Sequence, residues 1–242
     1  MDQPAGGEGD RTRIWCQVSS CACQSHPERT ELDAPEAEDS SQATETGRNR
    51  RLVAGPLAQA QKKAIREGRT ILFIDESGFY LLPMVVRSYA PRGLTPVLEQ
   101  YLSRDHLAAI GAVTPQGQLF LQTYEQAISS EQVIRFLEYL QRQITGLLLV
   151  IWDGSPTHRS KKIKAYLSKG AAKRVHLERF PGYAPELNPT EWVWSYIKVS
   201  LLANVACDTL PEVDILLHKA KRTLKRKPDL IKSFIQHVGY KV

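Results

Sequence analysis

Cysteine is scarce in this sequence, and its placement excludes a disulfide scaffold. Of four residues, Cys16, Cys21 and Cys23 crowd one stretch near the N-terminus and Cys207 stands alone, which leaves no paired framework across the rest of the chain. No apolar run approaches the ~20 residues that span a bilayer, so no membrane partner is expected. A secretory signal is missing too, because Asp2, Glu8 and Asp10 precede any hydrophobic stretch, where such a signal needs positive charge. Together these absences point to a reducing cytoplasm. Large apolar side chains are thin in residues 1–50, which consist mainly of Gly, Ser, Thr, Asp, Glu and Pro and cannot bury enough surface to offset the entropy of ordering the backbone. That segment reads as a disordered leader. Cys16, Cys21, Cys23 and His26 are zinc-type donors, but their spacing matches no common finger and no second CxxC-type pair appears, so they read as incidental.

What remains, residues 51–242, is the length of one substantial domain. The formal charge of +6 is unevenly spread: residues 1–50 hold ten acidic and five basic side chains, and residues 51–242 hold sixteen acidic and twenty-seven basic, a net +11. An excess of that size favours a polyanionic partner such as DNA, through phosphate neutralisation and counterion release.

The hydrophobic pattern of this part predicts an α/β domain. Pro56 to Gly68 is rich in helix formers and ends on glycine, the pattern of a short lead-in helix. Thr70–Ile74 (TILFI) and Leu147–Trp152 (LLLVIW) are continuous apolar runs, the signature of strands buried on both faces; the first is expected to end at Asp75 and the second at Asp153. Val85–Ala90, Leu107–Val113 and Gln118–Thr123 are shorter strand candidates, punctuated by Pro91-Arg92-Gly93 and Pro115-Gln116-Gly117, and read as an antiparallel meander. Ser129–Ile144 has helical periodicity with Ser130 as the expected N-cap. A helix over Ser160–Ser168, a strand over Val175–Glu178, a proline-rich loop over Phe180–Pro189 and a helix containing Glu191 and running to about Leu202 follow, and the tail is helical and basic.

Three acids stand where a sheet-based fold can aim side chains into one cleft: Asp75 and Asp153 after the two buried runs, and Glu191 in the first turn of a helix. Each alone has a plain structural reading as a cap or a dipole partner. As a set they are hard oxygen donors suited to Mg2+ or Mn2+, two of which can serve an in-line phosphodiester displacement. The words around them are FIDESGFYLLP (Phe73 to Pro83), VIWDGSPTH (Val150 to His158) and PGYAPELNPTEWVWSYIK (Pro181 to Lys198). In this order they resemble the catalytic blocks of the mariner-superfamily bacterial insertion-sequence transposases, over roughly residues 52–242. Asp75 with Glu76 corresponds to the first block, Asp153 with Gly154 and His158 to the second, and the Pro-Glu-Leu-Asn-Pro-Thr-Glu segment ending on Glu191 to the third. Thirty-seven residues separate Asp153 from Glu191, within the range of that family.

The resemblance implies a ribonuclease-H-like mixed sheet flanked by helices, with Asp75, Asp153 and Glu191 as catalytic metal ligands for two Mg2+ or Mn2+ ions. It further implies strand cleavage at transposon ends, attack of the freed 3′ hydroxyl on target DNA, a homodimer assembled on DNA, and a place with the nucleoid. Glu76 is expected to point away from the ion bound by Asp75, since neighbouring strand residues face opposite sides, and to act as a supporting partner. His158 is read as lining the site, by touching a scissile phosphate or by orienting Asp153, and Asn188 as capping the helix that carries Glu191. Trp192, Trp194 and Tyr196 read either as stacking platforms for unpaired bases or as core. Lys198, two turns beyond Glu191, and the cluster that includes Lys221, Arg222, Lys225 and Arg226 are the expected DNA contacts, with a solvated helix face as the alternative. Residues 1–50 show no helix-turn-helix pattern, so the chain reads as truncated at its front. Two other functions stay open: a transposase remnant that only binds DNA or intact transposase, and a ribonuclease-H-like nuclease acting on hybrids or branched DNA.

Overall fold

The computed structural model describes residues 13–17, 58–89, 97–101, 103–180 and 187–240. The reading of residues 1–50 as a disordered leader lies outside the described residues except at β1 (Arg13–Gln17), a strand whose antiparallel partner is β3 (Val97–Tyr101). Cys21, Cys23, His26, the Pro91-Arg92-Gly93 turn and most of the Phe180–Pro189 loop are also outside it. Helix α1 spans 58–67 and stops at Gly68, whose φ of +61° is a conformation that glycine adopts without strain.

The two apolar runs lie side by side at the centre of a five-stranded sheet. β2 (Arg69–Tyr80) and β6 (Leu147–Trp152) pair in parallel from Arg69↔Leu147 to Phe73↔Ile151. β2 also pairs antiparallel with β4 (His106–Val113), which pairs with β5 (Leu119–Tyr124), while β7 (Val175–Arg179) runs parallel to β6 on the other side. The order is β5-β4-β2-β6-β7.

Several expectations need correction. β2 does not end at Asp75: β6 covers it only to Phe73, but the β4 ladder continues to Tyr80↔His106, so the polar residues after Ile74 stay in the strand. Among the described residues no strand forms over 85–89; Met84 makes an isolated parallel bridge with Ala203, and the meander continues directly from β2 to β4. Helix α2 (Ser130–Gln143) is capped by Ser129 rather than Ser130, because the Ser129 hydroxyl takes the Glu131 N–H while the Gln132 side chain accepts from the Ser129 N–H at 3.1 Å.

The alternation of β2 and β6 splits the core into two layers. Leu72, Ile74, Leu148 and Val150 pack under α2 and α3 (Lys161–Ser168) with Phe136, Leu140 and Ile163. Ile71, Phe73, Leu149 and Ile151 face the layer of α4 (Pro189–Tyr196), α5 (Leu210–Lys225) and α6 (Pro228–His237), with Trp194, Leu217 and Ile231. The turn at Gly117 fits α6 closely: with φ +85°, an added Cβ would lie 2.5 Å from the Pro228 carbonyl oxygen. Among the described residues no helix is long and apolar enough to cross a membrane.

Candidate active site

The β2–β6 register decides where the first two acids lie. Asp75 and Asp153 each lie two residues beyond the last parallel pair, Phe73↔Ile151, Asp75 still within β2 and Asp153 just past the carboxyl end of β6, the end of parallel strands where open α/β sheets hold ligands. The Asp75 side chain follows the alternation of Phe73 onto the layer of α4, whereas that of Asp153, just past β6, turns to His158, which stacks on Trp152.

Helix α4 brings the third acid to that layer. Asn188 caps the helix, its side-chain oxygen accepting from Thr190 N–H at 3.1 Å, and Pro189 supplies a first helical residue that needs no N–H partner. Thr190 Oγ1 donates to the Phe73 carbonyl at 2.9 Å and Asn188 Nδ2 to that of Ile74 at 3.5 Å, so the start of α4 is pinned to β2 immediately before Asp75. Glu191, exposed in the first turn, thereby stands close enough to repel the Asp75 carboxylate. Trp194, one turn on and 2% exposed, donates from Nε1 to Asp75 Oδ2 at 3.0 Å. Its ring lies on Gly111, the residue opposite Asp75 on β4.

Burial, together with repulsion from Glu191 and Glu76, raises the Asp75 carboxyl from its ordinary 3.8 to about 8. Lys198 faces the same acids: its Nζ donates to Ser77 Oγ at 2.8 Å, and its own pKa is lowered by burial against the pull of Glu191 and Asp75.

Asp153 belongs to a second group. His158 Nδ1 lies 2.7 Å from Asp153 Oδ1 and His158 Nε2 lies 2.8 Å from Glu76 Oε1. The imidazole stacks flat on Trp152 with centroids 4.2 Å apart and is 5% exposed, so the geometry fits orientation of Asp153 rather than contact with a phosphate. Burial pulls this imidazole down, but the hydrogen bonds to Asp153 and Glu76 outweigh it and raise the group to about 9. The His158 hydrogen bond in turn holds the Asp153 carboxyl below its ordinary value, against partial burial and with help from Ser155 N–H, which also donates to Oδ1. Among the described residues Oδ2 of Asp153 has no protein donor.

The expected residues thus form two adjoining sets, Asp75 with Glu191 and Lys198, and Asp153 with His158 and Glu76. Among the described residues no three His, Cys, Asp or Glu side chains converge closely enough to hold a metal ion. The donor chemistry nevertheless fits a divalent cation: Asp75 is buried under the repulsion of neighbouring carboxylates against the cost of desolvation, and Asp153, at the end of the adjacent strand, keeps an unengaged oxygen.

Other assignments are mixed. Lys221 donates to the Leu121 carbonyl at 2.7 Å and so ties α5 to β5, whereas Arg222, Lys225 and Arg226 are exposed. Trp192 is 38% exposed and meets the His237 ring edge-on at 4.4 Å, while Tyr196 packs partly buried near Phe234. Arg179 is the residue that the sequence did not single out. It ends β7 exposed, with its guanidinium 3.3 Å from where a Gly154 Cβ would sit, so the glycine beside Asp153 lets this cation lie against the backbone. The available signal was an arginine closing a strand next to the Asp-Gly turn, visible only once the strands are paired.

Residues 70–214 match the DDE superfamily endonuclease family. The fold is similar to that in the crystal structure of the Mos1 mariner paired end complex with Mn, with a TM-score of 0.51 at 15% identity over 89% of this chain and 68% of that one. It is similar to the same degree to a pre-cleavage Mos1 transpososome, with a TM-score of 0.51 at 15% identity over 90% of this chain and 68% of that one. The isolated catalytic domain of Mos1 mariner transposase aligns with a TM-score of 0.48 at 14% identity, over 86% of this chain and 99% of that domain. No curated protein matches the sequence. The architecture is the mixed five-stranded, ribonuclease-H-like fold of transposase catalytic domains, as the motif blocks implied.

Proposed function

The chain belongs to the DDE superfamily endonuclease family, and from that premise we propose that it cuts DNA at transposon ends and joins the freed 3′ hydroxyl to target DNA, using Mg2+ or Mn2+. The observation that carries this reading is the buried Asp75 carboxyl, under the repulsion of Glu191, just past the stretch where β2 and β6 pair in parallel, with Asp153 just past the end of β6. Asp75, Asp153 and Glu191 would hold the ions. When bound, paired ions polarise the scissile phosphate and activate the attacking oxygen. The Mos1 paired end complex, which contains Mn, is in keeping with that choice.

The chain's own residues prepare this chemistry by position. Trp194 fixes one oxygen of Asp75, and Thr190 and Asn188 fix the helix start that presents Glu191. His158 sets the direction of the Asp153 carboxylate and is itself held by Glu76 on the neighbouring strand through its other ring nitrogen. Lys198 supplies positive charge on one side of the acids and Arg179 on the other, suited to DNA phosphates flanking the cut. Arg222, Lys225 and Arg226 supply an exposed basic surface for duplex backbone.

Nicking of supercoiled plasmid tests the proposal. Nicking is expected with Mg2+ or Mn2+, to stop with a chelator, and to be lost in Asp153→Asn. Full nicking by that variant would overturn the residue assignment, and salt-sensitive DNA binding without nicking in any divalent ion would assign a non-cleaving partner of DNA or intact transposase.

A further inference from the structure

From Gly154 to Leu177 the chain carries seven lysines and arginines and no aspartate or glutamate. Two of the seven have a place in the fold. Lys162 pairs with Glu131 of α2 at 2.5 Å, and Arg174 donates to the carbonyls of Gln141, Ile144 and Gly146, closing the end of α2. The other five, Arg159, Lys161, Lys164, Lys169 and Lys173, are exposed or face solvent and make no ion pair among the described residues.

Folding does not account for this charge. Helix α3 starts after Ser160, whose hydroxyl accepts from the Ile163 N–H at 3.3 Å, and its first turn holds Lys161 and Lys162 with no acid. The positive end of a helix dipole favours acids there and disfavours lysine. Ile163, 1% exposed, anchors the helix to the sheet and leaves Lys161 and Lys164 on the outer side. Ala165 and Ser168, also exposed, follow at the spacing of that same face and keep it low, so that a long polyanion can approach it closely.

The basic track begins at the acids. β6 and β7 run parallel, from Leu148↔Val175 to Trp152↔Arg179, so the crossover through α3 returns along the sheet. Arg159 stands at the end near Asp153, next to the His158 that holds it, and Lys173 at the far end. α3 packs in the layer of α2, whereas α5, with Arg222, Lys225 and Arg226, packs on the opposite face of the sheet. Three layers of about 10 Å each separate the two basic surfaces, so one straight duplex cannot lie on both.

We propose that the outer face of α3 holds a second duplex, the target that receives the freed 3′ hydroxyl, while the cations of α5 hold the first. The proposal rests on the strand-joining reading above and assigns a surface to it. Joining one duplex to another needs both to reach Asp153, and Arg159 brings the α3 track there. Charge complementarity selects the occupant: unpaired cations spaced along a low helical face neutralise phosphates of a duplex without reading its bases.

The test loads the full chain, in a chelator so that nothing is cut, onto a bead-bound duplex and measures retention of a second, labelled duplex of unrelated sequence. The native chain is expected to retain it, and less so as salt rises. Lys161→Glu combined with Lys164→Gln is expected to weaken retention about tenfold at ~0.1 M salt. Lys162→Gln, which removes only the pair with Glu131, is expected to leave retention unchanged. Because Lys161→Glu puts an acid in the first turn of α3, the double variant should melt at or above the native temperature; a lower melting temperature assigns the lysines to the fold and overturns the proposal. Equal retention by the native chain and the double variant, or no second duplex held by the native chain, in a preparation that still nicks plasmid with Mg2+, overturns the α3 assignment and leaves the nuclease reading intact. Retention of single-stranded RNA in preference to the duplex, lost in the double variant, assigns a different polyanion and also overturns it. No binding of the first duplex overturns both readings.

Discussion

Gly111→Ala tests how the site is built. Gly111 pairs with Asp75 across the β2–β4 ladder, and a Cβ there would lie 2.6 Å from Cη2 and 2.8 Å from Cζ2 of Trp194. Ordinary carbon contacts are about 3.5–4.0 Å, so the indole must retreat by roughly 1 Å. It has little room, being 2% exposed with Phe79 edge-on at 5.9 Å. Overpacking of this kind costs about 1–3 kcal/mol, which for a chain of this size lowers Tm by roughly 3–10 °C. The same movement pulls Nε1 away from Asp75 Oδ2, a 3.0 Å bond in the native protein, so a divalent ion should raise the melting temperature of the variant less than that of the native protein. Thermal and urea melts followed by circular dichroism, with and without Mg2+, read both effects. Trp194→Phe removes the atoms that clash, so Gly111→Ala should be nearly neutral in that background, with a coupling of at least ~1 kcal/mol in the double-mutant cycle. A loss below about 0.5 kcal/mol, or the same loss in both backgrounds, would refute the claim that Trp194 is wedged between Gly111 and Asp75.

Other consequences follow from the two acid groups and the cations beside them. In the ion-free protein Asp75 is raised from 3.8 to about 8 by burial, Glu191 and Glu76, so its contribution to stability is complete below about pH 4 and is lost as pH climbs through 8; Asp75→Asn should remove that decline, and parallel urea-melt profiles of the two proteins between pH 4 and 8 would contradict it. His158, raised to about 9 by Asp153 and Glu76 despite burial, contributes stability that is complete below its ordinary 6.5 and lost as pH rises through 9; an imidazole NMR titration with its midpoint near 6.5 would show that the link to Asp153 and Glu76 is absent in solution. Arg179→Gln should weaken binding to duplexes of any sequence and lower the slope of log K against log salt by about 0.9 with an unchanged melt; an unchanged slope would remove Arg179 from the DNA path.

Parts of this arrangement were legible in the sequence because they depend on local pattern. TILFI and LLLVIW announce doubly covered strands, and Asn188 followed by Pro189 announces a helix start, so the three acids could be placed at their elements before any pairing was known. The onward course of β2 was not legible: Asp75, Glu76, Ser77 and Gly78 break the apolar run, and it is the ladder to β4, a tertiary partner, that keeps them extended. The choice of Ser129 over Ser130 as cap depended on the backbone: Ser129 is extended, with φ −104° and ψ 173°, so its hydroxyl accepts from the Glu131 N–H, whereas Ser130 is already helical and its hydroxyl donates to the Thr157 carbonyl at 3.1 Å. Trp194 read as core or stacking platform, yet it is core and also a hydrogen-bond donor to Asp75, a role set by a residue more than a hundred positions away. Arg179 and the link from Asp153 through His158 to Glu76 likewise exist only because β6 lies between β2 and β7. Lys221, in line with its basic neighbours in sequence, is turned inward by its helix to Leu121.

The central claim is that Asp75, Asp153 and Glu191 share divalent cations, with Asp153 held to His158 through Oδ1 and offering Oδ2 to the ion. Its most direct test is the anomalous scattering of Mn2+ in crystals of this chain. The account predicts a peak in contact with carboxylate oxygens of Asp75, Asp153 and Glu191. A structure saturated with Mn2+ in which Asp153 still faces His158 alone and no ion touches Asp75 would contradict it.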